Sequence, residues 1–165
     1  MDDKHGKYLS FMRHAKSSWR YPELHDYDRP LNERGLADAP IMGRKLKKMG
    51  ISPDMILCSP ANRAISTARI ICEKINFSLH KLKLDDKIYT ATSWQMLDII
   101  KAIDNKYDNI LVIGHEPTIS QTIEILTGVS IEKFPTCAFL QMELSISKWS
   151  EIIAESGLIK NFEYP

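Results

Sequence analysis

Short apolar runs alternate along this chain with longer segments whose apolar residues recur every three or four positions. The segment 8–12 reads as a strand. Segments 54–59 (DMILCS) and 109–114 (NILVIG) are apolar runs bounded by polar residues and turn formers, the mark of buried strands. Between them the period is helical. Segment 61–75 sets Ala61, Ala64, Ile65, Ala68, Ile71, Cys72 and Ile75 on one face, with Ser59 as the expected N-cap and Pro60 at the first helical position. Segment 94–103 carries Met96, Leu97, Ile100 and Ile103 behind Ser93 as N-cap. Segment 117–127 opens on Pro117 and is closed by Gly128. Segment 36–49 is helical towards Gly50, and Pro40 predicts either a start near Asp38 or a kink. Segments 138–144 and 147–154 read as an edge hairpin, with loose ends at 1–6 and 160–165.

Strands alternating with helices predict a three-layer α/β/α domain spanning 1–165, with a mainly parallel sheet and an antiparallel edge. Its 165 residues suffice for one sizeable core. In such sheets ligands bind beyond the carboxyl ends of the strands. The places to inspect are therefore just after Met12, Ser59 and Gly114.

Composition narrows the function. Apolar residues make up 44% and charged residues 26%, which excludes collagen-like, mucin-like and disordered classes. With 22 basic and 21 acidic residues the formal charge is +1, so no global field draws nucleic acid or a membrane, and any anion site must be local. Cys58, Cys72 and Cys137 lie in apolar stretches without CxxC spacing, as expected of free thiols in a reducing compartment. The acidic start and the absence of a long apolar run predict a cytoplasmic protein, and the lack of heptads predicts a monomer.

The strand ends carry the chemistry. Arg13-His14-Ala15-Lys16 follows the first, Ser59-Pro60-Ala61-Asn62-Arg63 the second, and Gly114-His115-Glu116-Pro117 the third. Two helix N-termini and the arginines suit a phosphate. A neutral His14 imidazole can attack phosphorus, and His115 can donate to an equatorial oxygen. Neighbouring positive charge should keep His14 neutral. Ser17 is a further candidate phosphate ligand, and Trp19, Tyr21, His25 and Tyr27 form an aromatic loop that can line the mouth. Glu116 reads as an ordinary first-turn acid, and His5 and His80 as exposed. No HExxH, paired CxxC, P-loop or GxGxxG motif is present, so neither a catalytic metal nor a cofactor is expected.

In this order and spacing, Arg13-His14, Ser59-Pro60 with Arg63, and Gly114-His115 resemble the histidine phosphatase (phosphoglycerate-mutase-like) superfamily, from residue 8 to about 154. The run Asp28-Arg29-Pro30-Leu31-Asn32-Glu33-Arg34-Gly35 and the short chain look like its SixA-type phosphohistidine phosphatase branch. The resemblance implies that His14 is the phosphorylated nucleophile, that Arg13, Arg63 and His115 form the phosphate pocket, and that Arg29 reaches it from a loop. Ala15 and Lys16 stand where many members have Gly and Glu. Mutase-like members place a carboxylate between the second and third motifs to protonate an alkoxide. Here no carboxylate follows Tyr89 until Asp98, and Asp85 and Asp86 read as turn residues. An imidazole leaves without such an acid, so a phosphorylated histidine on a protein is the expected substrate. A small-molecule phosphatase using Asp85 or Asp86, or a non-catalytic phosphate-binding module, are the alternatives.

Overall fold

In the computed structural model, which describes residues 6–165, six strands form one sheet between two helical layers. The strands are β1 (Lys7–Arg13), β2 (Met55–Cys58), β3 (Leu82–Leu84), β4 (Asn109–Gly114), β5 (Phe139–Leu144) and β6 (Gly157–Glu163). Their order is β3-β2-β4-β1-β5-β6. Pairings among β3, β2, β4 and β1 are parallel, while β5 and β6 add an antiparallel edge. The expected three-layer fold is present.

Side-chain alternation along the buried strands makes two cores. Ile110 and Val112 of β4 face one side, with Leu9, Phe11 and Leu57. Leu111 and Ile113 face the other, with Met12, Ile56 and Cys58. The first face is covered by α4 (Ser93–Lys101) and α5 (Thr118–Thr127), the second by α1 (Glu33–Lys48) and α2 (Asn62–Ile75). A short helix, α3 (Asp86–Thr90), joins β3 to α4. Where β1 begins, the buried Lys7 ammonium donates to the carbonyls of Asn105 and Tyr107 and to the Asp108 carboxylate.

Several expectations need correction. The second arm of the hairpin is β6, not 147–154, so 160–165 is no loose tail. The segment 147–154 instead contains a 3-10 turn at Trp149–Glu151. The Glu151 carboxylate accepts from the Ser147 and Lys148 amides, and Trp149 is wholly buried, its indole donating to the Tyr107 carbonyl. The expected loose start at 1–6 lies outside the described residues except for Gly6, as does His5. Helix α1 begins earlier than expected, at Glu33, because Asn32 caps it through the Gly35 amide. It runs through Pro40, whose missing bond falls to Leu36 on the exposed face, where water can hydrate the carbonyl. Caps elsewhere also differ. Ala61 is the N-cap of α2, Thr92 with Gln95 forms a capping box on α4, and Pro117 is the N-cap rather than the first residue of α5. Ser59 lies two residues ahead of the α2 cap, its Oγ accepting the Ala61 amide.

Gly35 positions the loop that leaves β1. A Cβ at Gly35 would lie 2.2 Å from the Lys16 carbonyl oxygen, which accepts the Asn32 amide. Gly35→Ala should therefore destabilise the protein by more than about 2 kcal/mol in urea titration. Faster hydrogen exchange at the Asn32 amide should accompany it. Normal protection there would show that the contact does not fix the loop.

Candidate active site

The residues leaving β1 are clamped from three directions. The His14 amide donates to the Gly114 carbonyl at 3.2 Å, and the Ala15 amide to Thr67 Oγ1 at 2.9 Å. Thr67 Oγ1 in turn donates to the Arg63 carbonyl, so one hydroxyl couples the β1 loop to α2. From the far side, the Cys137 amide donates to both the Arg13 and His14 carbonyls at 3.1 Å. Cys137 does so from a left-handed conformation, φ 64°, which a side chain rarely adopts. Sequence reasoning missed this clamp, because nothing in its composition marks a positive φ.

His14 has a defined tautomer. Its Nδ1 lies 2.8 Å from the Ala15 carbonyl, an acceptor only, so Nδ1 carries the proton and donates. Nε2 is then a lone pair, and the Arg63 Nε–H donates towards it at 3.4 Å. Burial foremost pushes the His14 pKa down to about 3; the Ala15 hydrogen bond opposes this, and neighbouring His115, Arg63 and Arg13 add to it by disfavouring a further positive charge. The His115 ring lies 5.2 Å away, its pKa lowered to about 4 by burial and by Arg63. Both imidazoles are neutral at physiological pH.

Ser59 Oγ accepts the Ala61 amide at 3.3 Å and sits 2.7 Å from His115 Nε2, so it links the approach to α2 with the second histidine. Because a hydroxyl can turn to donate there, Nδ1 can serve as the N–H donor on the Arg63 side. The 3.5 Å contact of Nδ1 with Arg63 Nη2 is too long to fix the tautomer.

The structure gathers Arg13, Arg29 and Arg63 around this pair. Arg63 and Arg29 are buried at 6% and 7% exposure. Arg13 Nη1 donates to the Phe134 carbonyl, while Arg13 Nε and Arg29 Nη1 are buried without a hydrogen-bond partner. Such unpaired donors fit an oxyanion. Ser17 is present but faces Arg29, whose Nη2 donates to its Oγ at 2.7 Å, so it holds an arginine in place. Trp19 stacks on the same guanidinium at 3.4 Å and Tyr27 meets Tyr89 edge-on, so part of the aromatic loop does border the mouth.

Two of the carboxylates weighed from the sequence fall as expected, and one that was not weighed enters the site. Glu116 accepts from the Ser120 amide and hydroxyl, the first-turn role anticipated for it. Asp85 caps α3 through the Lys87 amide, as a turn residue does. The acidic residue that sequence reasoning missed is Asp26. Its Oδ2 accepts from Arg63 Nη2 at 2.9 Å and from the Tyr89 hydroxyl at 2.8 Å, and Oδ1 lies 3.3 Å from Arg29 Nε. Its backbone carbonyl takes Arg63 Nη1 as well. Burial pushes its pKa up, but hydrogen bonds from Tyr89 and Arg63 and the charges of Arg63 and Arg29 outweigh that, leaving it below the usual carboxylate value.

Residues 9–88 match the histidine phosphatase superfamily (branch 1). An uncharacterised chloroplast protein of Arabidopsis thaliana is 31% identical over 157 residues, covering 90% of this chain and 72% of its own. The chain belongs to the histidine phosphatase superfamily. An uncharacterised Mycobacterium leprae protein is 30% identical over 166 residues, 93% of this chain and 99% of its own. Among solved structures, a SixA protein of Agrobacterium tumefaciens, assigned as a phosphohistidine phosphatase, superposes with TM-score 0.83 at 27% identity, over 96% of this chain and 98% of its own. The protein histidine phosphatase SixA complexed with tungstate shares the fold, with TM-score 0.81 at 21% identity, over 95% and 96%. This histidine phosphatase is thus of the SixA type, and a phosphatase by family.

The neutral histidines have a measurable consequence. In the unfolded chain an imidazole takes up its proton as pH falls through about 6.5. In the folded chain His14 resists until about 3 and His115 until about 4. Their contribution to stability is complete above about pH 6.5 and is lost on acidification, by at most about 1.4 kcal/mol per pH unit for each group. His14→Gln removes one of the two. The unfolding free energy of wild type minus that of His14→Gln should fall by about 1 kcal/mol per pH unit below about pH 6. A difference independent of pH would contradict a buried neutral His14.

Proposed function

We propose that this protein is a phosphohistidine phosphatase, with His14 as the nucleophile that carries the phosphoryl group. The observation that carries the reading is the orientation of His14: Nδ1–H is tied to the Ala15 carbonyl, and Nε2 is left as a lone pair engaged only by a long 3.4 Å contact from Arg63 Nε. In the first step this lone pair forms a bond to phosphorus as the substrate's bond to phosphorus breaks. Arg13, Arg29, Arg63 and His115 bear the charge on the equatorial oxygens. Water then attacks the phosphorylated His14 and releases phosphate. Guanidinium groups supply the positive charge that a metal would otherwise bring. Among the described residues no group of three or more His, Cys, Asp or Glu is placed to hold a metal ion.

Substrate choice follows from proton supply. An ester needs its alkoxide protonated, and the pocket's one arginine-paired carboxylate, Asp26, is held ionised. A histidine leaving group with a proton on its other ring nitrogen departs as a neutral molecule. The reading therefore favours a phosphoramidate on a protein. The three cysteines are free and buried, which agrees with a reducing, cytoplasmic setting, and no helix among the described residues is long and apolar enough to cross a membrane.

Two matched peptides, one phosphohistidine and one phosphoserine, test the substrate. The first should be preferred in kcat/KM by about a hundred- to ten-thousand-fold, the range of a missing general acid. Equal turnover would overturn the phosphohistidine assignment in favour of an ester phosphatase. His14→Ala should lose essentially all turnover, and a brief reaction quenched in alkali should leave phosphate on His14 of the wild type. Exhaustive chelation should leave the rate intact, and a strict divalent-ion requirement would contradict the reading.

A further inference from the structure

Asp26 poses a problem for a phosphate pocket, since a carboxylate repels the substrate. Both buried arginines that ion-pair among the described residues, Arg29 and Arg63, pair with it. Its position is no accident of a mobile side chain. The Asp26 carbonyl accepts from Arg63, the Asp28 carbonyl accepts from Asn62 Nδ2, and Tyr89 reaches across from α3 to the carboxylate. Three arginines against two carboxylates, Asp26 and the Glu116 that acts on Arg13, still leave the pocket positive, so a phosphoryl group can enter.

An ionised carboxylate offers about four acceptor positions. Arg63 and Tyr89 occupy two of them, both on Oδ2, while Oδ1 lies 3.3 Å from Arg29 Nε as an ion pair without a hydrogen bond; the Asp26 side chain is 51% exposed. Oδ1 thus keeps acceptor capacity on a half-exposed carboxylate that a ligand can reach. Beside it, the rings of Tyr27 and Tyr89 meet edge to face at 5.2 Å, and Tyr89 in turn lies edge-on to His115 at 5.6 Å. An acceptor flanked by aromatic rings suits a planar group that donates an N–H.

We propose that Asp26 recognises the leaving group: its carboxylate accepts a hydrogen bond from the ring N–H of a phosphorylated imidazole and holds that ring protonated, with Tyr27 and Tyr89 flanking it. This rests on the phosphohistidine reading and deepens it. The step balances without a proton donor. The His14 Nε2 lone pair forms the new N–P bond, the substrate's P–N bond breaks, and its electron pair returns to the departing ring nitrogen. The other ring nitrogen keeps its proton, so the product is neutral imidazole. A serine or sugar phosphate has no such N–H. Its alkoxide would develop negative charge beside an ionised carboxylate that has no proton to give. The charged and titratable groups facing Asp26 are Arg63 on α2, Tyr89 on α3, Arg29 on its own loop and His115 after β4.

The test compares wild type, Asp26→Asn and Tyr89→Phe on a phosphohistidine peptide and on 4-nitrophenyl phosphate, across pH. The phenolate of the second substrate leaves with little need of a proton. Asp26→Asn should lower the ratio of kcat/KM for the peptide over the aryl phosphate by about 10- to 100-fold, the range of a hydrogen bond to a charged group. It should also move the alkaline limb of the peptide profile to lower pH, because the substrate ring sheds its proton earlier without the carboxylate. Tyr89→Phe should shift both in the same direction by less. If Asp26→Asn lowers both substrates alike with an unshifted profile, Asp26 only positions the arginines and the proposal is wrong. If the wild type itself ignores the peptide yet cleaves the aryl phosphate, the phosphohistidine reading fails and this assignment fails with it.

Discussion

Three guanidinium groups brought into one partly dehydrated pocket repel one another, and the surrounding structure is organised to hold them there. Each has its own tether. Arg13 is held by the Phe134 carbonyl, Arg29 by Ser17 and the face of Trp19, and Arg63 by the Asp26 carbonyl and carboxylate. The sheet supplies the convergence. With β1 between β4 and β5, and β2 on the far side of β4, Arg13 and His14, the approach to α2, and His115 all emerge at one edge. The same positive surroundings, added to burial, keep both histidines neutral. On the proposed reading, anion binding and nucleophile activation are thus one electrostatic arrangement.

What could be read from the sequence was what rests on contiguous pattern. The runs that became β1, β2 and β4 are apolar almost throughout because both faces are covered, and their ends therefore point to the site residues directly. The edge strand β6 escaped because only one side of it meets the core. Its exposure alternates, so GLIKNFE looks like a tail. Trp149 escaped for the opposite reason: its burial is tertiary, supplied by α4 and its neighbours. The cap of α2 was misplaced by two residues: Ser59 Oγ takes the Ala61 amide ahead of the helix and reaches His115, while the helix itself starts at Asn62 behind Ala61.

Asp26 was illegible for a different reason. It stands in a polar, aperiodic stretch with other acids nearby, Glu23 and Asp28. Nothing local separates a carboxylate that turns inward from one that does not. The search for an acid after Tyr89 came close in space while failing in sequence, since the carboxylate that bonds Tyr89 comes from residue 26. Its low proton affinity reverses the role first sought for it, from donor to acceptor.

The segment bearing Asp26 and Arg29 is tied to the rest of the molecule at a handful of points. These include the Ser17–Leu31 bridge, the Ser18 amide on Pro30, the Arg29 bond to Ser17, and the bonds from Asn62, Arg63 and Tyr89. None of its residues between Trp19 and Asp28 is buried in either core. On the proposed reading, the loop thus carries the leaving-group contact together with one phosphate-binding arginine, Arg29, while His14 sits at the end of a strand buried between two cores. Substitutions between Trp19 and Asp28 would then alter what surrounds the leaving group without disturbing the packing that holds His14.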